Sequence, residues 1–167
     1  MSNAIRSLVG VIVWASLAGP APLDAAEPAT EWRAGAARVD TTPTRPVRMA
    51  GYASRKSQST GVAHPLAAKA LALADAQGNR AVFVTCDVIA FRRPFRNRVV
   101  ERVKAKYGLP GENLALFASH THAGPALSET AAPGAGGDSE GLKNNIDYTR
   151  ELEDKVVDVV GAALAKL

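Results

Sequence analysis

The strongest chemical signal in this chain is a pair of histidines separated by one residue. The chain has 3 histidines, and two of them, His120 and His122, lie in the motif Ser-His-Thr-His-Ala-Gly-Pro at residues 119–125. The motif follows an apolar segment, residues 113–118, that is typical of a β-strand, and side chains two apart on a strand point the same way. Neutral imidazole is a common ligand of zinc and its neighbouring transition metals. The spacing predicts that both imidazoles converge on one ion or one substrate atom; alternatively, the pair only hydrogen-bonds the loop after the strand.

Asp87 is the carboxylate that we expect nearest to this pair. It follows a second apolar segment, residues 81–86, and if the two strands are parallel and adjacent it can bind the same metal or orient one imidazole. Alternatively, Asp87 caps the turn that leads to the next helix. Cys86 lies within the apolar segment, which predicts a packed thiol rather than a nucleophile.

Two other polar residues are weaker candidates for the site. Ser119 adjoins His120, but neighbours on a strand face opposite sides of the sheet, which argues against a Ser-His pair. The third histidine, His64, precedes a proline and is predicted to be a loop residue outside the site.

The first 26 residues have the pattern of a secretory signal peptide. Arg6 precedes an apolar run at residues 8–18 that is too short to span a bilayer, and Ala25 and Ala26 are small residues near a plausible cleavage point. We therefore expect residues 1–26 to be removed and the mature protein to be exported, either to the periplasm or out of the cell. An uncleaved N-terminal anchor is the alternative.

Residues 27–167 are enough for one domain with a hydrophobic core. The formal net charge of +4 favours contact with anionic surfaces, but no dense basic run is interleaved with aromatic residues, so we expect no nucleic-acid partner. The single cysteine excludes both an internal disulfide and a cysteine-rich zinc site.

The order of predicted elements indicates an α/β fold. Strands are predicted at residues 32–39, 65–74, 80–86 and 113–118, with a hairpin turn at 75–79. Helices are predicted at residues 94–107 and near the C-terminus, where Asp147 is expected to cap a helix with an apolar stripe from Leu152 to Leu167. A long loop occupies residues 47–62, and residues 131–141 are Gly-rich and polar. This order predicts a mixed β-sheet flanked by helices, with ligand sites beyond the carboxyl ends of the strands.

Five sequence blocks occur in an order that is specific, although each block alone is a weak signal. The blocks are Gly-Ala-Ala-Arg-Val-Asp-Thr-Thr-Pro at 35–43, Met-Ala-Gly-Tyr-Ala at 49–53, Pro-Leu-Ala-Ala-Lys-Ala-Leu-Ala-Leu at 65–73, Val-Phe-Val-Thr-Cys-Asp at 82–87 and the histidine motif at 119–125. Together they resemble the start of the catalytic domain of the neutral/alkaline, non-lysosomal ceramidases. The resemblance runs from about residue 33 to the end of the chain.

The resemblance implies a function and a role for four residues. In that family the first histidine of the motif is a zinc ligand, which here is His120, and the second, here His122, lies beside the zinc and positions the reacting groups. Gly51 and Tyr52 correspond to a loop at the active-site entrance, where they are expected to contact substrate. The implied reaction is hydrolysis of ceramide, or of another N-acyl lipid, to a free amine and a fatty acid. Contact with a membrane surface is a further expectation.

The chain departs from the family in one respect. The family draws its other zinc ligands (a histidine, a glutamate and a tyrosine) and its active-site serine from sequence further along than residue 167. We therefore expect residues 27–167 to be the N-terminal portion of a larger zinc hydrolase domain, a truncated fragment in which catalysis is uncertain. The alternative is a non-catalytic fragment or binding module that keeps the scaffold without a complete metal site.

Overall fold

The computed structural model describes residues 31–55, 57–130 and 139–167. The predicted signal peptide and most of the Gly-rich segment at residues 131–141 therefore lie outside the described residues. The strands are β1 (Arg33–Asp40), β2 (Ala67–Ala74), β3 (Arg80–Cys86) and β4 (Leu114–Ala118). The helices are α1 (Arg93–Tyr107) and α2 (Ser139–Leu164), with a short 3-10 turn at Gly111–Asn113.

The four strands form one mixed sheet in the order β1-β2-β3-β4. Strands β1, β2 and β3 are antiparallel neighbours, whereas β3 and β4 are parallel. The predicted hairpin between β2 and β3 is confirmed: Asp75 Oδ1 accepts hydrogen bonds from the N–H groups of Gln77 and Asn79, and Gly78 adopts the positive φ that this turn requires. The α/β class and the mixed sheet are therefore as predicted. The ends of β3 and β4 meet at one edge, where the candidate residues lie.

Both helices pack against one face of the sheet. The side of β2 that faces them consists of alanines, from Ala68 to Ala74 on alternate residues, and these small side chains let α2 lie close to β1 and β2. Helix α1 buries Phe95, Val99 and Val103, which recur every four residues and so form one stripe along the helix. The core between sheet and helices is therefore built from the residues that helical and strand periodicity single out. No helix among the described residues combines the length and apolarity needed to cross a bilayer.

Helix α2 begins at Ser139, so Asp147 lies inside the helix and the prediction that it caps the N-terminus is wrong. The Asp147 carboxylate instead accepts a hydrogen bond from Lys143, one turn earlier, and pairs with Arg45. The first part of α2 buries polar side chains, among them Asn144, Asn145 and Thr149, rather than an apolar stripe. Hydrophobic periodicity therefore could not reveal this part of the helix.

Candidate functional site

The two histidines of the motif come together at the carboxyl end of β4. Their ring centroids are 5.2 Å apart and the ring planes meet at 63°. Strand β4 ends at Ala118, and His120 has a φ of 58°, a left-handed conformation that is uncommon for residues other than glycine. The rings are adjacent, as predicted. The cause differs from the prediction: the left-handed backbone at His120, beyond the end of β4, brings the rings together, and not the alternation of side chains along a strand.

The hydrogen bond of His120 determines which of its ring nitrogens is available to a ligand. His120 Nδ1 lies 2.9 Å from the carbonyl oxygen of Ile89, in the loop between β3 and α1. A carbonyl oxygen can only accept, so Nδ1 carries the proton in the neutral imidazole and Nε2 keeps its lone pair. A histidine held through one nitrogen by a carbonyl is the usual arrangement of a metal ligand that binds through the other nitrogen. The side chain of His120 is exposed, so Nε2 is accessible.

The predicted entrance residues contact His122 directly. Gly51 and Tyr52 both have positive φ angles, 74° and 53°. A Cβ atom added to Gly51 would lie 2.5 Å from Cγ and Nδ1 of His122, so only glycine fits beside this ring. The Tyr52 ring stands edge-on to the His122 ring, with centroids 5.0 Å apart. The structure therefore brings together four residues singled out in the sequence: His120, His122, Gly51 and Tyr52.

Backbone pairing joins the long loop to the histidine motif. Ala50 N–H donates to the Gly124 carbonyl and Ala126 N–H donates to the Arg48 carbonyl, both at 2.9 Å, while Met49 and Pro125 are bridge partners. Residues 48–50 and 124–126 thus form a short antiparallel pair of segments, which we call the site ladder. This ladder holds together two segments that are far apart in sequence.

A buried asparagine on α2, Asn145, hydrogen-bonds both segments of the site ladder. The side chain of Asn145 is fully buried. Its Oδ1 accepts a hydrogen bond from Arg48 N–H at 2.7 Å, and its Nδ2 donates to the carbonyls of Arg48 and Ala126 at 2.9 and 2.5 Å. One amide therefore binds both strands of the ladder. Sequence reasoning missed Asn145; the only signal was a pair of asparagines ahead of the apolar stripe of α2.

Asp87 does not join the histidines. Its Oδ2 accepts a hydrogen bond from Ala67 N–H at 2.9 Å, and its own N–H donates to the Ala67 carbonyl at 3.0 Å. The carboxylate thus ties the start of β2 to the end of β3. In the part of the chain that the structure describes, no three His, Cys, Asp or Glu side chains form a group that could hold a metal ion. The hypothesis that Asp87 is a further ligand beside the two histidines is wrong, because the three side chains do not form such a group and Asp87 Oδ2 is bound to Ala67 N–H in the sheet.

The remaining candidates have structural or peripheral positions. Cys86 is 1% exposed, and burial, with a contribution from the Asp87 carboxylate, raises the pKa of its thiol to about 12. The thiol therefore stays protonated at neutral pH, which confirms a packed residue. His64 is exposed, and no contact among the described residues joins it to the histidine pair. Ser119 is exposed, and its N–H donates to the Cys86 carbonyl.

Comparisons with known proteins agree on one family. A family model described as neutral/alkaline non-lysosomal ceramidase, N-terminal, matches residues 32–133. Neutral ceramidase 2 of Arabidopsis thaliana is 40% identical over 87 residues, which are 51% of this chain and 12% of that protein. The crystal structure of neutral ceramidase from Pseudomonas aeruginosa superposes with a TM-score of 0.66 at 28% identity, over 82% of this chain and 22% of that one. A solved ceramidase complexed with C2 gives the same values. The chain thus spans less than a quarter of the length of these relatives.

Proposed function

The chain belongs to the neutral/alkaline non-lysosomal ceramidase family, and we propose that it supplies the histidine pair of a zinc-dependent amide hydrolase that cleaves ceramide to sphingosine and a fatty acid. The observation that carries this proposal is the orientation of His120. Its Nδ1 is held by the Ile89 carbonyl, which leaves Nε2 free to bind a metal in the segment that matches the family.

The two histidines suit a zinc site, but the described residues supply only part of its ligands. Zinc accepts imidazole nitrogen and prefers four ligands, three of them from the protein in a catalytic site. His120 Nε2 offers one such nitrogen, and His122 lies beside it. No third side chain joins them among the described residues, so a complete site needs ligands from other parts of a ceramidase-length domain. When bound, zinc polarises the amide carbonyl and lowers the pKa of a bound water to about 7.

His122 and Tyr52 have separate roles in this proposal. The His122 ring is partly buried between the Gly51 turn and His120, a position from which a ring nitrogen can hydrogen-bond the reacting groups. Tyr52 is 63% exposed, although its ring edge is in contact with His122. An exposed aromatic ring at the mouth of a site offers apolar area to an acyl or sphingoid chain, so Tyr52, with Gly51 beside it, would contact the lipid.

The open face of the sheet supports a larger catalytic domain around this segment. The face away from the helices exposes Leu71, Phe83 and Phe117 by 42%, 41% and 49%, and the two phenylalanine rings are stacked. Adjacent exposed side chains of this kind usually mark a surface that another element covers. We therefore propose that residues 27–167 act as the N-terminal portion of a longer hydrolase domain, which packs on this face.

The substrate and location follow from the same proposal. Ceramide is the first candidate because the relatives are ceramidases, one of them solved in complex with C2; other N-acyl lipids are chemically equivalent at the amide. The signal pattern at residues 1–26 supports export, and the net charge of +4 supports contact with anionic membrane surfaces that hold lipid substrates. A non-catalytic binding module is the second candidate, favoured by the lack of a third ligand among the described residues.

A hybrid ceramidase tests the proposal. In it, residues 32–133 of this chain replace the matching segment of the Pseudomonas aeruginosa neutral ceramidase, so that the rest of that domain surrounds the histidine pair. We expect the hybrid to bind zinc and to hydrolyse labelled ceramide, and His120→Ala to abolish both. His64→Ala is the matched control, because His64 is an exposed histidine outside the pair, and it should change neither.

Two results would contradict the proposal. If His120→Ala keeps full zinc content and turnover in the hybrid, His120 is not a ligand. Zinc titration of the 167-residue chain provides a second measurement that does not depend on the hybrid. We expect weak binding that His120→Ala removes and His64→Ala preserves. Equal binding by all three proteins would indicate that the pair only supports the loop.

A further inference from the structure

Arg55 connects the two parts of the candidate site. Its Nη1 donates hydrogen bonds to the carbonyl of His122 at 2.9 Å and to the carbonyl of Ala50 at 3.1 Å. The guanidinium carbon also lies 5.1 Å from the centre of the Tyr52 ring, within the range of a cation–π contact. A single side chain therefore touches the backbone of the second histidine, the residue before the Gly51 turn and the ring at the entrance.

Within the described chain, the Arg55 guanidinium makes only these three contacts. Among residues 31–55, 57–130 and 139–167, the structure pairs Arg55 with no carboxylate. The guanidinium is partly buried and its partners are two carbonyl oxygens and an aromatic face. Both hydrogen bonds leave one nitrogen, Nη1, and the planar guanidinium can make them while its carbon lies over the Tyr52 ring, whereas the smaller ammonium of a lysine has no such plane to extend from the carbonyls to the ring. The arrangement thus depends on the shape of arginine as well as on its charge.

Arg55 contacts a turn whose backbone conformation is unfavourable at Tyr52. Gly51 and Tyr52 are consecutive residues with positive φ, and a tyrosine in the left-handed region is unfavourable unless its surroundings impose it. Arg55 acts on both sides of this turn, through the Ala50 carbonyl before it and the Tyr52 ring within it. The backbone N–H of Arg55 also donates to the Tyr52 carbonyl at 2.8 Å.

We infer that Arg55 is a positioning residue for His122: it holds the His122 backbone and the Tyr52 ring in one arrangement, and so fixes where the His122 imidazole points. The inference rests on the proposed function for its catalytic meaning, because His122 is there the residue that orients the reacting groups. His120 is outside the reach of this effect, since the Ile89 carbonyl holds it independently. Loss of Arg55 should therefore displace one histidine and leave the other in place.

The test is nuclear magnetic resonance on the 167-residue chain, with Arg55→Met and Arg55→Lys compared with Arg93→Met. Arg93 is an exposed arginine at the start of α1 and serves as the control. In the unmodified chain and the control, the Tyr52 and His122 rings should show mutual Overhauser contacts, since their centroids are 5.0 Å apart. Arg55→Met should remove these contacts and shift the His122 ring resonances strongly, while those of His120 shift less, only through the change in the neighbouring ring 5.2 Å away. Arg55→Lys should lose most of the contact intensity although it keeps the charge.

Three results would overturn the inference. The first is an intact Tyr52–His122 contact in Arg55→Met. The second is full recovery of the contact by Arg55→Lys, which would mean that charge alone is sufficient. The third is an equal shift of the His120 and His122 resonances, which would indicate general loosening and no specific positioning of His122. If Arg55→Met does not fold, Arg55→Lys is used instead: an intact Tyr52–His122 contact, or equal shifts of the two histidines, in that variant would overturn the inference.

The ceramidase activity of the hybrid distinguishes a failure of this inference from a failure of the proposed function. In the hybrid ceramidase, Arg55→Met is expected to lower kcat at least tenfold while zinc content changes less than twofold, because the zinc ligand His120 is untouched; KM should rise as well, because Tyr52 loses its position beside the lipid. An inactive hybrid with intact Arg55 would contradict the proposed function. The role of Arg55 would then be tested by the Tyr52–His122 Overhauser contacts alone. A hybrid that is active and insensitive to Arg55→Met would contradict the inference alone.

Discussion

The amide of Asn145 is expected to be among the most important polar groups for the stability of the site. It is fully buried and makes three hydrogen bonds to the two segments of the site ladder. Asn145→Ala removes the acceptor of the Arg48 N–H and one donor to the Ala126 carbonyl. The Arg48 carbonyl keeps the hydrogen bond from Ala126 N–H. Three backbone groups at partly buried positions therefore lose their bond to Asn145, and the ladder bond from Ala126 N–H compensates only the Arg48 carbonyl; the Arg48 N–H and the Ala126 carbonyl are the two that it does not.

The expected cost follows from these two groups. A buried polar group that loses its partner costs about 1–3 kcal/mol, so Asn145→Ala should lower the free energy of unfolding by about 2–6 kcal/mol. Asn144→Ala is the matched control. Asn144 is the neighbouring asparagine on the same helix, is 8% exposed, and makes one side-chain hydrogen bond, from Nδ2 to the Pro46 carbonyl at 2.9 Å. Pro46 is exposed, so its carbonyl can hydrogen-bond water instead, and the loss should cost only about 1 kcal/mol.

Urea unfolding followed by circular dichroism measures both values, and hydrogen exchange locates the effect. In Asn145→Ala, the amide protons of Ala50 and Ala126 should exchange faster than in the control, because these two protons close the site ladder. Equal destabilisation by the two variants would refute the reasoning. So would unchanged exchange at Ala50 and Ala126, since the ladder would then not depend on the Asn145 amide.

Three further predictions concern separate parts of the chain. Gly51→Ala should lower the free energy of unfolding by more than about 1 kcal/mol and displace His122, because Gly51 has a left-handed φ and an added Cβ would lie 2.5 Å from the His122 ring. Gly61→Ala is the control: an added Cβ there meets nothing within 4 Å, so it should be neutral in the same urea assay. Stability should fall as pH rises from 9 towards 12. Burial raises the pKa of Cys86 from 9.0 to about 12, so only the unfolded thiol ionises in that window, which contributes up to about 1.4 kcal/mol per pH unit. Cys86→Ala should reduce this slope in urea titrations at alkaline pH without abolishing it, because burial also raises the pKa of Tyr148. The exported protein should lack residues 1–26 by mass spectrometry, and recovery of intact Met1 from the cytoplasm would contradict the signal peptide.

Local patterns in the sequence were enough for the elements and for the family. The hairpin between β2 and β3 depends on a turn in which Asp75 binds residues only two and four positions away, so the sequence predicts it directly. Helix α1 follows from the spacing of Phe95, Val99 and Val103. The ordered blocks ending in the histidine motif identified the ceramidase family, and with it four residues that the structure brings together.

The tertiary structure alone decided how these residues are held. Asp87 ends a strand beside the histidines, yet its carboxylate binds Ala67, a partner set by the pairing of β2 with β3. Asn145 and Arg55 carry no periodic or motif signal, because each acts through hydrogen bonds to backbone groups remote in sequence: Asn145 through the N–H and carbonyl of Arg48, and Arg55 through the carbonyl of His122. Sequence patterns record which side chains are apolar and how they are spaced, whereas the direction of a buried amide or a guanidinium depends on which loop the fold places beside it.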